Sequence, residues 1–324
     1  MKHLLIHLAI YVSIMTPPHT RGDEWRQRLN SELSVGVAAL RKAYQTVSYS
    51  GTITTFTYPS EEIGITKRFK TSSAEGRFRT EFTTLTDRSN SRELGSREAY
   101  LFLPGRSFRL DANSGGPFRL GSLPAIESPL DTEKGLGGTL IFQDPVRVAA
   151  YQFGAEPVDK FLAAKVITID EVAPEREPGQ LGLRIKVKWR LLGDGWTVKG
   201  FFILSPDFHW AITETCYSRV QEPEGVKHPV LIEYRVDETK IPKVKRITQW
   251  SELSDGLRKP FKKVEVDSFT FEGNPDDISL ASFGVSEVRS PSPMRYTYYF
   301  LLASGISAMV AVLISWLKKS RSKK

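Results

Sequence analysis

Asp207 and His209 flank Phe208 just after Ser205 and Pro206, a spacing in which an acid could orient an imidazole to act on a serine hydroxyl. Residues two apart in a strand share a face without pairing, so the same pattern also describes an ordinary turn. The chain has one cysteine, Cys216, in a strand-like run, where a thiol reads as a small hydrophobe rather than a nucleophile. With that cysteine and only His209 and His228 beyond the N-terminal region, a zinc or copper site is poorly supplied. No Walker loop, His-Glu-x-x-His, Gly-x-Ser-x-Gly or Cys-x-x-Cys is present. Gly135, Gly137 and Gly138 lack both the strand and the Gly-Lys-Ser that would make a phosphate cradle. The acidic pairs Glu61-Glu62 and Asp276-Asp277 fall in turn-like contexts. These residues predict no catalysis, no metal and no cofactor.

The elements that would position a site are strands. From Leu183 to Leu191 every odd residue is apolar and every even one basic, which requires one buried and one wet face. Similar alternation recurs at 51–58, 65–71, 78–85, 99–103, 107–110, 165–170, 197–204, 210–219, 230–236, 244–250 and 262–271, with a turn expected at 72–76. Before them, Leu29, Leu33, Val37, Leu40, Tyr44 and Val47 recur at helical steps, with Asp23 as the expected N-cap. Around ten strands and one good helix predict an antiparallel sheet with a helix packed on it. Residues 111–145 are rich in Gly, Pro and Ser and read as a long loop or lid, with a short helix at 145–153.

Both chain ends concern membranes. Residues 296–317 carry no charge and are followed by Lys318, Lys319, Arg321, Lys323 and Lys324. A stretch of about 20 apolar residues at about 1.5 Å each crosses a bilayer, and Tyr296, Tyr298, Tyr299 and Trp316 suit its interfaces. The basic tail, 318–324, places the C-terminus in the cytoplasm. Residues 1–21 have the layout of a secretory signal, which puts 22–285 on the periplasmic or extracellular side, joined through the Pro-containing linker 286–295. Along the span Ala303, Ser307, Ala311 and Ser315 form a small-residue stripe that would let two such helices pack as a homodimer. The formal charge of +8 falls to +2 once the five basic tail residues and Lys2 are set aside, so no nucleic-acid partner is expected.

The motifs Tyr49-Ser-Gly-Thr-Ile53, Gly76-Arg-Phe-Arg-Thr-Glu-Phe82, Ala99-Tyr-Leu-Phe-Leu-Pro104 and Phe201-Phe-Ile-Leu-Ser-Pro206, in this order behind one helix, resemble the periplasmic lipoprotein-carrier superfamily, LolA/LolB-like. The flow from the run Gly200 to Trp210 on to Ile241-Pro242 is also similar to uncharacterised exported proteins of planctomycete-type bacteria. The resemblance implies a mainly β (α+β) fold: a curled antiparallel half-barrel with the N-terminal helix packed on it, to which this chain adds a C-terminal transmembrane helix. It also implies an apolar concavity for acyl chains. On apolar strand faces the candidate lining residues are Phe78, Phe82, Ile185, Val187, Trp189, Trp210 and Ile212, which would otherwise be plain core. No lipobox cysteine is present, and the family's Arg-Pro beside the early strands has no counterpart, so its arginine is not carried over. The expected function is a membrane-anchored binding protein for a lipid or acylated polypeptide, without catalysis. The alternatives are an envelope sensor or protein-interaction ectodomain acting through a membrane partner and, behind it, a hydrolase.

Overall fold

The computed structural model describes residues 19–57, 62–88, 93–104, 106–120, 145–154, 156–175, 182–193, 196–219, 226–253 and 255–285. The chain divides into two units, Met1–Gly284 and Val285–Lys324, and of the second only Val285 is among the described residues. Residues 1–18 of the expected signal, most of the Gly/Pro segment, the linker, the span with Ala303, Ser307, Ala311 and Ser315, and the tail therefore lie outside the described residues. Among those described, no helix is long and apolar enough to cross a membrane.

Helix α1 (His19–Ala43) buries Leu29, Leu33, Val37 and Leu40 along one stripe, and Tyr44 continues that stripe past its end. Arg41 and Lys42 in its last turn complement the negative end of the dipole. The helix starts at His19, so Asp23 stands inside it rather than capping it. The first turn carries no apolar periodicity, which is why the pattern pointed to a later start.

The rest is mostly β. Six strands follow: β1 (Val47–Phe56), β2 (Ile63–Ala74), β3 (Arg77–Asp87), β4 (Arg97–Leu103), β5 (Arg106–Ala112) and β6 (Arg119–Leu120). A connecting segment holds helix α2 (Pro145–Ala149), the short hairpin β7 (Gln152–Phe153) and β8 (Glu156–Pro157), and helix α3 (Val158–Ala163). Seven more strands complete the fold: β9 (Ile167–Pro174), β10 (Ile185–Gly193), β11 (Trp196–Ser205), β12 (Ala211–Arg219), β13 (Val230–Arg235), β14 (Lys243–Glu252) and β15 (Arg258–Thr270). Thirteen of them form one antiparallel sheet in the order β6-β5-β4-β3-β2-β1-β15-β14-β13-β12-β11-β10-β9. Two meanders thus meet where β1 pairs with β15, and the sheet stays open, with β6 and β9 as its edges.

The sequence count of around ten strands is too low, and the expected turn at 72–76 shrinks to Glu75 and Gly76. Ser72 and Ser73 look like turn residues but stay in the ladder opposite Arg79 and Phe78. There the Ser73 hydroxyl lies 2.8 Å from the Gln45 carbonyl oxygen and 3.2 Å from that of Arg77, within donating reach of both.

Register shifts at Ser50/Gly51, Lys188/Trp189, Ile203/Leu204, Glu233/Tyr234 and Gln249/Trp250 add bend and twist. One face gathers Tyr49, Val187, Phe202, Ile232, Val264 and the stripe of α1 into a continuous core. The alternation in β10 is realised as expected: Ile185, Val187 and Trp189 are buried. On the other face Lys186, Lys188 and Arg190 pair with Glu175 (3.2 Å), Glu171 (2.6 Å) and Asp170 (2.7 Å). Such half-exposed pairs keep the outer face wet and add little stability.

Helix α1 crosses the β11–β12 turn at close range. A Cβ on Gly36 would lie 2.7 Å from the His209 carbonyl oxygen, so only glycine permits the contact. In that turn His209 and Trp210 both take left-handed backbone conformations (φ 58° and 60°), a cost offset by burying the Trp210 ring to 2% exposure.

Candidate functional site

The sheet curls far enough for β10 and β15, five positions apart, to line one cavity of about 1070 Å³. Its floor is the inner face of β10 to β15 with the end of β1, and its roof is the connecting segment: Val148 and Ala149 of α2, Phe153 of the hairpin and Phe161 of α3. The roof is tied down at several points. The Ile212 N–H donates to the Ala150 carbonyl oxygen (2.8 Å), the Val158 N–H donates to that of Tyr151 (2.9 Å), and the Tyr151 ring meets Tyr44 edge-on at 6.0 Å.

One wall is aromatic. Phe153 and Phe161 stand edge-on to Trp189 at 5.5 and 4.9 Å, and Trp189 stacks on Phe202 at 5.6 Å. Gly200 lies opposite Trp189 in the ladder, and a Cβ there would fall 2.5 Å from the indole and 2.6 Å from the Cys216 carbonyl oxygen. The glycine therefore provides the shelf on which the indole lies.

Polar side chains are interspersed in the lining: Thr55, Gln152, Thr197, Thr215, His228, Gln249, Ser251 and Lys262. Trp189 and Thr215 are 1% and 7% exposed, and neither the indole Nε1 nor the Thr215 Oγ1 has a hydrogen-bond partner. At the far end from the aromatic wall, Lys262 of β15 sits in register between Thr55 of β1 and Gln249 of β14. Burial lowers the pKa of its ammonium, with no opposing contribution from a neighbouring charge. Among the described residues that line the cavity there is no carboxylate.

Two of the seven candidate lining residues, Trp189 and Ile212, line this cavity. Ile185 and Val187 are core beneath α1 and the roof, Trp210 is covered by α1, and Phe82 packs near Phe69 in the core without reaching the cavity. Phe78 forms a separate small cluster with Phe102, ring centres 5.6 Å apart. Sequence reasoning did not single out Lys262, Gln249, Thr215 or the roof phenylalanines. Lys262 had a signal: counting back by two from the buried Val266 and Val264 places it on the inner face.

The Asp207 carboxylate accepts the Leu183 N–H at 3.1 Å, which gives it a place in a turn. Cys216 is buried, and burial pushes its thiol pKa up. Among the described residues no cluster of three or more His, Cys, Asp or Glu is placed to hold a metal ion.

Neither a protein-family model nor a curated protein matches the chain. Among solved structures it is similar to the crystal structure of a DUF1329 family protein from Desulfovibrio piger, at 9% identity and a TM-score of 0.41, over 78% of this chain and 97% of that one. It is also similar to the MucA/MucB complex of Pseudomonas aeruginosa, at 13% identity and a TM-score of 0.13, over 75% of this chain and 100% of that one. A second structure, MucB with MucA(peri), matches at 12% identity and a TM-score of 0.12, with the same coverage. Likeness this slight carries no argument about fold or function, and none of it bears on the planctomycete-type proteins. What the cavity does has to be read from its own chemistry.

Proposed function

We propose that the protein is a binding protein that holds an apolar ligand, a lipid or the acyl chain of a polypeptide, without transforming it. The observation that carries this reading is the roofed cavity of about 1070 Å³, walled by aromatic and aliphatic side chains and at the upper end of the size of ligand sites. Burying an acyl chain there is favourable by about 0.8 kcal/mol per methylene, which needs no dense polar recognition. The reading accords with the acyl-binding concavity that the lipoprotein-carrier resemblance implies. In the same proposal residues 22–285 are exported and 296–317 hold them at the membrane, with the C-terminus inside and Ala303, Ser307, Ala311 and Ser315 pairing two spans.

The test is uptake of the neutral fluorophore N-phenyl-1-naphthylamine, which brightens in apolar sites. Wild type should bind it saturably, and Ile232→Trp, which fills the floor at a residue 5% exposed, should not, while keeping its circular dichroism. Equal uptake by both proteins would place the fluorophore elsewhere and remove the cavity from the account.

A further inference from the structure

The cavity has an apolar end and a cationic end, and this polarity says more about its occupant than its volume does. Lys262 is a cation on the inner face of β15, on the same side of the strand as the buried Val264 and Val266. The glutamates of β14 and β15 are committed to other cations: Glu252 to Lys227 and Arg258, each at 2.7 Å, and Glu265 to Lys263 at 3.1 Å and Arg246 at 3.2 Å. Its cross-strand neighbour Thr55 has a hydroxyl 3.2 Å from the Ile65 carbonyl oxygen, to which it donates. On the other side the Gln249 amide has no such commitment among the described residues and keeps its N–H donors. Lys262 is half-buried, and a cation drawn part-way out of water costs free energy unless something of opposite charge meets it. No side chain lining the cavity supplies that charge.

We propose that the occupant is an acyl chain ending in an anionic headgroup, a carboxylate or a phosphate monoester, with the headgroup on the Lys262 ammonium and the Gln249 amide. This rests on the binding reading above and names the ligand class for that same site. The chain runs from Lys262 across β13 and β12 to the Trp189, Phe153 and Phe161 wall. About five strand spacings of roughly 4.8 Å, some 24 Å along the curled sheet, separate β15 from β10. If a methylene occupies about the room of a water molecule, roughly 30 Å³, a sixteen-carbon chain needs about 500 Å³, and the cavity holds one such chain or two. The lowered pKa of Lys262 agrees with a site whose empty form lacks its counter-charge.

The experiment uses the full chain held in amphipol, preloaded with N-phenyl-1-naphthylamine, and displaces the fluorophore with palmitate, hexadecyl phosphate or hexadecanol at neutral pH. The three share a chain and differ in headgroup. Palmitate, hexadecyl phosphate or both should displace about tenfold or more better than hexadecanol, the range expected for a charge-assisted hydrogen bond out of water. Which of the two wins separates a carboxylate ligand from a phosphate one. Lys262→Met should erase the advantage, and Lys262→Arg should restore most of it. If all three displace alike in wild type, the headgroup proposal is overturned and the binding reading stands. If the fluorophore never binds, both fall. The wild-type comparison alone decides the matter should the Lys262 variants fail to fold.

Discussion

Replacing Thr215 by Val should make the ligand-free protein more stable. Thr215 is 7% exposed, its in-register neighbours are Phe202 and Val230, and its Oγ1 has no hydrogen-bond partner. A hydroxyl buried without a partner costs about 1–3 kcal/mol relative to a methyl of the same shape. Valine keeps the β-branched outline that suits a strand, so no repacking offsets the gain. The expected change is about 1–2 kcal/mol, or a rise in Tm of roughly 2–8 °C for a domain of this size. Urea unfolding followed by both far-UV circular dichroism and tryptophan fluorescence is the assay. The midpoint should move up with the slope unchanged, which marks a change in stability rather than in compactness. A lower midpoint in Thr215→Val would mean that the hydroxyl is satisfied in solution, and the inference that the cavity carries uncompensated polar groups would fail. The variant also has a functional expectation. Because β12 would meet the alkyl part of the ligand rather than its headgroup, Thr215→Val should bind hexadecyl phosphate or palmitate at least as tightly as wild type.

Two other changes test the frame around the site. Gly36→Ala would gain about 1 kcal/mol of helix propensity, yet its Cβ would meet the His209 carbonyl oxygen at 2.7 Å. A net loss of about 1–3 kcal/mol is expected, and an unchanged urea midpoint would show that α1 does not press on the β11–β12 turn. Glu252, whose carboxyl Lys227 and Arg258 hold below its usual pKa, contributes stability that is present above the ordinary carboxylate pKa and is lost as pH falls through the lowered one. Glu252→Gln should therefore be less stable than wild type at neutral pH, with the gap closing below about pH 4.3; a gap that persists in acid would contradict the role given to that charge.

The sequence displayed some of this plainly and hid the rest for physical reasons. The strict alternation of β10 exposed its buried face, because a strand with one wet side has to repeat with period two. Leu29 to Leu40 likewise announced α1, though not its first turn, which has nothing apolar to repeat. Ser72 and Ser73 disguised the end of β2, since the Ser73 hydroxyl reaches the Gln45 and Arg77 carbonyls and the Ser72 hydroxyl meets that of Ser48, which accommodates hydroxyls that composition assigns to a turn. Trp189 and Ile212 were singled out as lining residues, but so were Phe78 and Trp210, because an apolar face is the same to a pattern whether it meets a helix, another ring or a cavity. The bulges at Glu233/Tyr234 and Gln249/Trp250 change which residues of β13 and β14 point inward, and they have no local mark. Lys262 was legible by parity alone. The pairing of β1 with β15, which brings Thr55 beside it, joins residues about two hundred positions apart and could be seen only in three dimensions.

The most direct measurement is native mass spectrometry of the full chain, purified from cells and then incubated with palmitate or hexadecyl phosphate. The account predicts a retained stoichiometric adduct of one or two acyl amphiphiles, lost in Ile232→Trp and weakened in Lys262→Met. A bare mass in every case, from a folded protein that takes up neither amphiphile, would contradict it.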